Sequence, residues 1–222
     1  MLETVIKVGG SLGRGAQLPA LGQALARLGT AHAVLVVPGG GDFADTVRAY
    51  DQRYHLRDTT AHWMAVLAMD QYGCLLSDQI PNSVSVRDLV TARTVAQGGH
   101  VPVLLPCALL QRADPLPHRW TVTSDSIAAW VAGACGAERL ILLKDVDGLH
   151  RADPKGQTNA PLLPTVRVAA LGEDGGVDLY LATVLKAIPL DVWVINWTRP
   201  ERLAELLQKG ETKGTHVPRS TS

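Results

Sequence analysis

Two apolar runs near the start of the chain each break into glycine: Val5-Ile6-Lys7-Val8-Gly9-Gly10-Ser11, and Val34-Leu35-Val36-Val37-Pro38-Gly39-Gly40-Gly41. A short apolar, β-branched run bounded by turn residues reads as a buried strand, and glycine placed after it permits positive φ and close backbone approach. If a helix opens after such a turn, its free N–H groups attract an anion. Lys7 sets a full positive charge beside the first turn. Together the two turns read as a cradle for a polyphosphate. A tight turn packed against a helix accounts for any one of these glycines, but less well for two turns and a strand lysine.

The rest of the chain continues the alternation. Strands are expected at Thr4–Val8, Ala33–Val37, Val101–Leu105, Arg139–Leu143 and Asp191–Ile195. Between them Leu18, Leu21, Leu25 and Leu28 recur at helical spacing before Gly29, and Phe43, Val47 and Tyr50 share one face of a helix that Asp42 is placed to cap. A broad apolar helix is expected over Thr59–Leu76, an alanine-rich one over Ile127–Cys135 with Thr123 or Ser124 as cap and Gly136 as stop, and a last one over Pro200–Gln208. Strands alternating with helices predict an α/β fold: a three-layer α/β/α sandwich with a mostly parallel central sheet. A length of 222 residues suits one domain, taken as residues 1–216, with 217–222 as a flexible tail.

Lys plus Arg equals Asp plus Glu, 21 each, so no overall field recruits nucleic acid or an anionic membrane. The expected partner is a small molecule. Cys74, Cys107 and Cys135 form no CxxC and no zinc-ligand cluster, which suits reduced, mostly buried thiols. The chain enters a strand almost at once, and no apolar run reaches membrane-spanning length, so a cytoplasmic setting is expected.

Gly39-Gly40-Gly41-Asp42-Phe43-Ala44 also fits the GxGxxG/A dinucleotide pattern, with Asp58 at the distance of a ribose contact. Against that reading, the other glycine turn lies earlier, on the first strand, where the fingerprint normally belongs. No GxxxxGK[ST] loop is present. Phosphoryl transfer asks for reactants in line, neutralised charge and excluded water, which two anion-binding turns and lysines supply.

Four segments in order, Lys7-Val8-Gly9-Gly10-Ser11, Pro38-Gly39-Gly40-Gly41, Thr123-Ser124-Asp125-Ser126 and Lys144-Asp145-Val146-Asp147-Gly148, resemble the amino acid kinase superfamily. The resemblance runs through Val194-Ile195-Asn196, Pro200 and Gly210 to Thr215, a closing pattern similar to that of uridylate kinases. Within the superfamily the chain most resembles the kinases of [5-(aminomethyl)furan-3-yl]methyl phosphate in methanofuran biosynthesis. Gly39 to Ala44 with Val47-Arg48 and Asp51, Ala61-His62 through Met69-Asp70, and His118 to Ser126 carry that likeness.

The resemblance implies a phosphotransferase moving the γ-phosphoryl group of ATP, with Mg2+, onto a small phosphate monoester. A homo-oligomer is implied as well. Lys7 and Asp125 are the implied catalytic residues. Gly9, Gly10 and Ser11 would hold donor phosphates, and Gly39, Gly40 and Gly41 the acceptor phosphate. Lys144, Asp145, Asp147, Gly148, Asp153 and Lys155 would form the nucleotide side, and Asp42, Asp58, His62, Trp120, Thr123 and Ser124 the acceptor side. Plainer readings stand beside these: helix capping for Asp125 and Asp58, a surface loop for Asp153 and Lys155, an exposed or satisfied His62, core filling for Trp120. Ligands for the magnesium ion are not assigned. The chain departs from the superfamily in one respect. A second lysine usually precedes the penultimate helix, but Gly172 to Asp178 contains none, and Lys186 lies farther along.

Three other readings remain open: a uridylate or isopentenyl phosphate kinase, a noncatalytic nucleotide- or oxyanion-binding protein on the same fold, and the dinucleotide-dependent dehydrogenase.

Overall fold

A computed structural model describes residues 1–11, 18–150, 160–172 and 176–219. Among these residues seven strands form one sheet: β1 (Thr4–Val8), β2 (Val34–Pro38), β3 (Ser83–Val86), β4 (Val101–Leu104), β5 (Arg139–Lys144), β6 (Asp191–Asn196) and β7 (Thr215–Val217). Their spatial order is β3-β4-β2-β1-β5-β6-β7, with every neighbouring pair parallel except the antiparallel β6 and β7. The helices are α1 (Leu18–Gly29), α2 (Gly41–Tyr54), α3 (Asp58–Gln79), α4 (Leu89–Gln97), α5 (Cys107–Ala113), α6 (Ser124–Cys135), α7 (Leu181–Ala187) and α8 (Pro200–Lys209).

Alternation along each strand sorts its side chains between two cores. Val5, Leu35, Val37, Leu140, Leu142 and Val194 face the α6 and α7 layer. Ile6, Val8, Val36, Ile141, Leu143 and Ile195 face the layer of α1 and α8. The α3 helix contributes to both, with Val66 and Met69 in the first core and Tyr72 and Leu76 in the second. This double burial is why its apolar surface is too broad for a simple amphipathic stripe. Cys107 and Cys135 are buried, whereas Cys74 is exposed. No described helix is long and apolar enough to cross a membrane.

Several boundaries differ from the sequence expectation. The second strand is shifted by one residue to end on Pro38. Gly40, not Asp42, occupies the N-cap of α2, because the helix opens on Gly41 at φ 57°, a conformation that glycine adopts without strain; Asp42 falls in the first turn instead. Asp58 is likewise the first helical residue of α3 after an Arg57 cap. Thr123 caps α6 by position, but its side chain makes no capping bond. Val217, assigned to the tail, is buried in β7.

From β1 the chain adds β2, then β3 at the far edge and β4 between β3 and β2, and only then crosses over to lay β5 on the other flank of β1. The carboxyl ends of β1 and β5 therefore border a topological switch point, the crevice where open α/β sheets bind ligands.

Candidate active site

The two glycine turns leave neighbouring strands, β1 and β2, paired in register at Val8 and Pro38. They touch backbone to backbone. A Cβ built on Gly10 would stand 2.1 Å from the Gly41 nitrogen, and one on Gly39 would stand 2.7 Å from the Gly10 nitrogen. The Gly39 N–H donates to the Val8 carbonyl at 2.8 Å, and the buried Tyr72 hydroxyl donates to the Gly9 carbonyl at 3.4 Å. Burial, and then the nearby Asp42 carboxylate, push the Tyr72 pKa upward, so its proton stays in place. Two turns that a single methyl group would force apart explain why glycine recurs at this point.

Beside them, Lys7 and Lys144 rise from the ends of β1 and β5. Lys7 pairs in register with Leu142, so Lys144, two residues on, belongs to the same sheet face. The α6 helix covers that face and presents Asp125 from its first turn, 2 % exposed. Lys144 Nζ donates to Asp125 Oδ2 at 2.6 Å, and Lys7 Nζ lies 2.9 Å from Oδ1. The second contact is an ion pair without hydrogen-bond alignment, since Oδ1 has no hydrogen-bond partner.

One carboxylate shared by two ammonium groups produces an uneven balance. At Asp125, burial favours the neutral acid, but the attraction of Lys144 and then Lys7 prevails and holds its pKa well below the usual carboxylate range. At Lys7, burial prevails over the attraction of Asp125, and repulsion from Lys144 adds to it, so the pKa is lowered. The more distant Asp178 carboxylate also attracts Lys7, without overcoming its burial.

The first turn of α6 is fixed by Asp178, just before α7. Its carboxylate accepts from the N–H groups of Thr123 and Ser126, from both of their hydroxyls, and from the N–H groups of Tyr180 and Leu181. One side chain therefore satisfies the open N-termini of two helices and sets the orientation of Asp125 between them. Sequence reasoning missed Asp178. An Asp just ahead of a helical run is a capping signal for α7, but its reach to α6, more than 50 residues earlier, is not visible locally.

On the α2 and α3 side lies a cavity of about 270 Å³. Gly10, Ser11, Gly40, Gly41, Thr123 and Ser124 form its polar end, and Ala65, Val66, Met69, Trp120, Val122 and Ile127 form its apolar wall, with His62, Asp45 and Arg48 at the sides. Trp120 is pinned from α2: its indole N–H donates to Asp51 at 2.6 Å, and the Arg48 guanidinium sits 4.9 Å from the ring centre. Arg48 also pairs with Asp45 at 2.8 Å. His62 stacks on His118 at 4.3 Å between ring centres, and His118 is held by Thr59 and Asp114. Burial, then the adjacent His118, push the His62 pKa down to about 4, so at neutral pH it is an uncharged wall.

Of the expected acceptor residues, His62, Trp120, Thr123 and Ser124 line this cavity. Asp58 lines a smaller cleft behind His62 and Trp120, and the exposed Asp42 lines neither. Gly10, Ser11, Gly40 and Gly41 face the cavity, whereas Gly9 and Gly39 are buried beneath the turns.

Within the turn after β5, Asp145 is exposed, and Asp147 accepts from Asn196, Arg202 and Lys213 at 2.7–3.0 Å. Hydrogen bonds from Arg202, then Lys213, hold the Asp147 pKa far below the usual range. Gly148 packs so closely on Thr215 that a Cβ would meet Oγ1 at 2.5 Å. These contacts tie the turn to β6, β7 and α8. Asp153 and Lys155 lie outside the described residues.

A magnesium ion finds no built site among the described residues. No group of three or more His, Cys, Asp or Glu side chains converges, and both oxygens of Asp125 already face lysines.

Cations and glycine turns gathered outside the carboxyl ends of β1 and β5 define an α/β protein of the class that handles phosphate-bearing ligands at its switch point. The chain belongs to the amino acid kinase family, whose model matches residues 3–189, and it is a phosphotransferase. It is 27 % identical over 206 residues to the [5-(aminomethyl)furan-3-yl]methyl phosphate kinase of Methanocaldococcus jannaschii, covering 92 % of each chain. It is 25 % identical over 208 residues to the uridylate kinase of Haloarcula marismortui, covering 79 % of this chain and 89 % of that one. The fold superimposes on the uridylate kinase of Archaeoglobus fulgidus with a TM-score of 0.75 and 23 % identity, covering 97 % and 99 % of the two chains.

Proposed function

We propose that this phosphotransferase moves the γ-phosphoryl group of Mg-ATP onto the phosphate of a small monoester, with [5-(aminomethyl)furan-3-yl]methyl phosphate as the preferred acceptor. The observation that carries this reading is the two-ended cavity. Its glycine and hydroxyl end includes Ser124, the residue before Asp125, and suits a phosphate, while its apolar end, walled by Trp120, Met69 and neutral His62, suits a small flat ring.

In this reading an acceptor phosphate oxygen attacks the γ-phosphorus, the bond from that phosphorus to the β,γ-bridging oxygen breaks, and ADP and a diphosphate leave. The protein's contribution is position and charge. Lys7 opposes the charge on the moving group, Asp125 keeps the lysines in place, and the N–H groups of Gly10, Gly40 and Gly41 approach the phosphates. Likeness to the Methanocaldococcus jannaschii enzyme supports the furan acceptor and a place in methanofuran-type biosynthesis.

The test is incubation of purified protein with Mg-ATP and, separately, the aminomethylfuran phosphate, UMP and isopentenyl phosphate, with diphosphates followed by mass spectrometry. Selective conversion of the furan is expected. Conversion of UMP or isopentenyl phosphate instead would replace the acceptor and keep the chemistry, whereas tight ATP binding with no product from any acceptor would favour a binding protein.

A further inference from the structure

We infer that Lys144 is a second cation for the phosphoryl group in flight, partner to Lys7, rather than a residue of the nucleoside side. The inference rests on the kinase reading above and adds to it a residue with a role in the transition state.

Three observations carry it. First, Lys7 and Lys144 stand on the same face of adjacent strands at the switch point, and both reach one carboxylate, so their ammonium groups are held on the two sides of Asp125. Second, that carboxylate is placed by a helix start that Asp178 locks through four hydrogen bonds. Lys144 is thereby aimed before any ligand arrives, the condition under which a charge stabilises a transition state without a reorganisation cost. Third, the cluster stands next to the cavity's phosphate end, because Thr123 and Ser124 line that cavity while Asp125 follows directly behind them.

Exposure separates the two lysines. The Lys7 side chain is 6 % exposed and Lys144 is 19 % exposed, so Lys144 is the cation that opens toward solvent on the side of the β5 turn. Neither lines the acceptor cavity. A phosphoryl group passing from donor to acceptor across this boundary carries its negative charge spread over three equatorial oxygens, which ammonium groups nearby oppose. The sequence between Gly172 and Asp178 contains no lysine, and Lys144 gives the site its second positive charge from another strand.

The experiment compares the full chain with Lys144→Met, Lys144→Arg and Lys7→Met. Initial rates over a range of Mg-ATP are paired with calorimetric binding of ADP, alone and with aluminium fluoride as a mimic of the transferring group. Thermal unfolding serves as the folding control. Lys144→Met leaves a balanced Lys7–Asp125 pair and is expected to unfold cooperatively; if it does not fold, Lys144→Gln carries the same test. For Lys144→Met, kcat is expected to fall by about 10²–10³-fold, the scale of losing one preorganised charge or donor. The KM for ATP should change little, and the gain in ADP affinity caused by aluminium fluoride should be lost. Lys144→Arg should recover part of the rate.

A raised KM for ATP with unchanged kcat would overturn the inference and return Lys144 to the nucleoside side. Wild-type turnover with Lys144→Met unaffected would overturn the inference alone. Absence of turnover together with no tightening of ADP by aluminium fluoride in the wild type would overturn the kinase reading and the inference together.

Discussion

The corner around Asp125 and the cavity beside it are built in opposite ways. In the corner, Lys7 and Lys144 come from the two central strands, Asp125 is 2 % exposed, and the helix that carries it is anchored by Asp178. In the cavity, the working side chains come from α2, α3 and the segment before α6. They are held by partly exposed side-chain pairs: Arg48 on Asp45, Trp120 on Asp51, His62 on His118. Buried charge clusters tolerate little change, because removing one partner strands the others away from water. Partly exposed pairs contribute little individually and can be exchanged. On the proposed reading the difference puts phosphate chemistry on the sheet and acceptor choice on outlying helices, where substitutions change shape at low cost to folding.

The hardest blow to the corner is Asp125→Asn. Two lysines would then share a neutral amide in a buried site, and about 3–5 kcal/mol of stability should be lost, the usual cost of stranding buried charge. Chemical denaturation reads the loss, and kcat measured on the folded fraction should fall by about 10²-fold or more. A variant with wild-type stability would show that the lysines are solvated without Asp125, and the contrast between corner and cavity would collapse.

A middle-sized effect is expected from Trp120→Leu on the cavity side. It removes the flat wall and its bond to Asp51 while keeping an apolar side chain. The KM for the acceptor should rise by about tenfold, a cost of about 1.4 kcal/mol, with the KM for ATP unchanged. Steady-state kinetics with each substrate varied in turn checks this. An equal rise in both would mean that the two regions are coupled, not independent.

How far each region was legible in the sequence follows the same divide. Strands β1, β2, β4, β5 and β6 announce themselves as apolar runs because they are buried on both faces. Strands β3 and β7 do not. Ser83-Val84-Ser85-Val86 is a four-residue edge strand half made of serine, and β7 has three residues and owes its place to pairing with β6. Lys7, Asp125 and Lys144 sit in short motifs at strand and helix ends, so the residues of the corner could be picked out, although their convergence on one carboxylate depends on the crossover to β5. The cavity was harder to read. Trp120 and His62 line the cavity, whereas Asp58 and Asp42 do not, because the helix phases that set their directions depend on Gly41 at positive φ and on the Arg57 cap. Asp178 lay beyond reach because its partners belong to another helix.

The smallest effect tests the cavity's electrical neutrality. His62 has its pKa lowered from 6.5 to about 4 by burial and by His118, so between those values the unfolded chain binds the proton more readily than the folded one. Stability from this group is therefore fully present above about pH 6.5 and declines as pH falls toward 4. The charged and titratable neighbours are His118 and Asp114 across the stack, and Asp114 partly offsets the effect by favouring the protonated ring. In His62→Gln, which keeps a polar side chain without a titrating proton, the loss of stability between pH 6.5 and 4 should be shallower than in the wild type. Denaturation midpoints at intervals across that range measure it. Identical slopes would mean that His62 opens to water when protonated, and the cavity would then be even less rigid than its contrast with the corner implies.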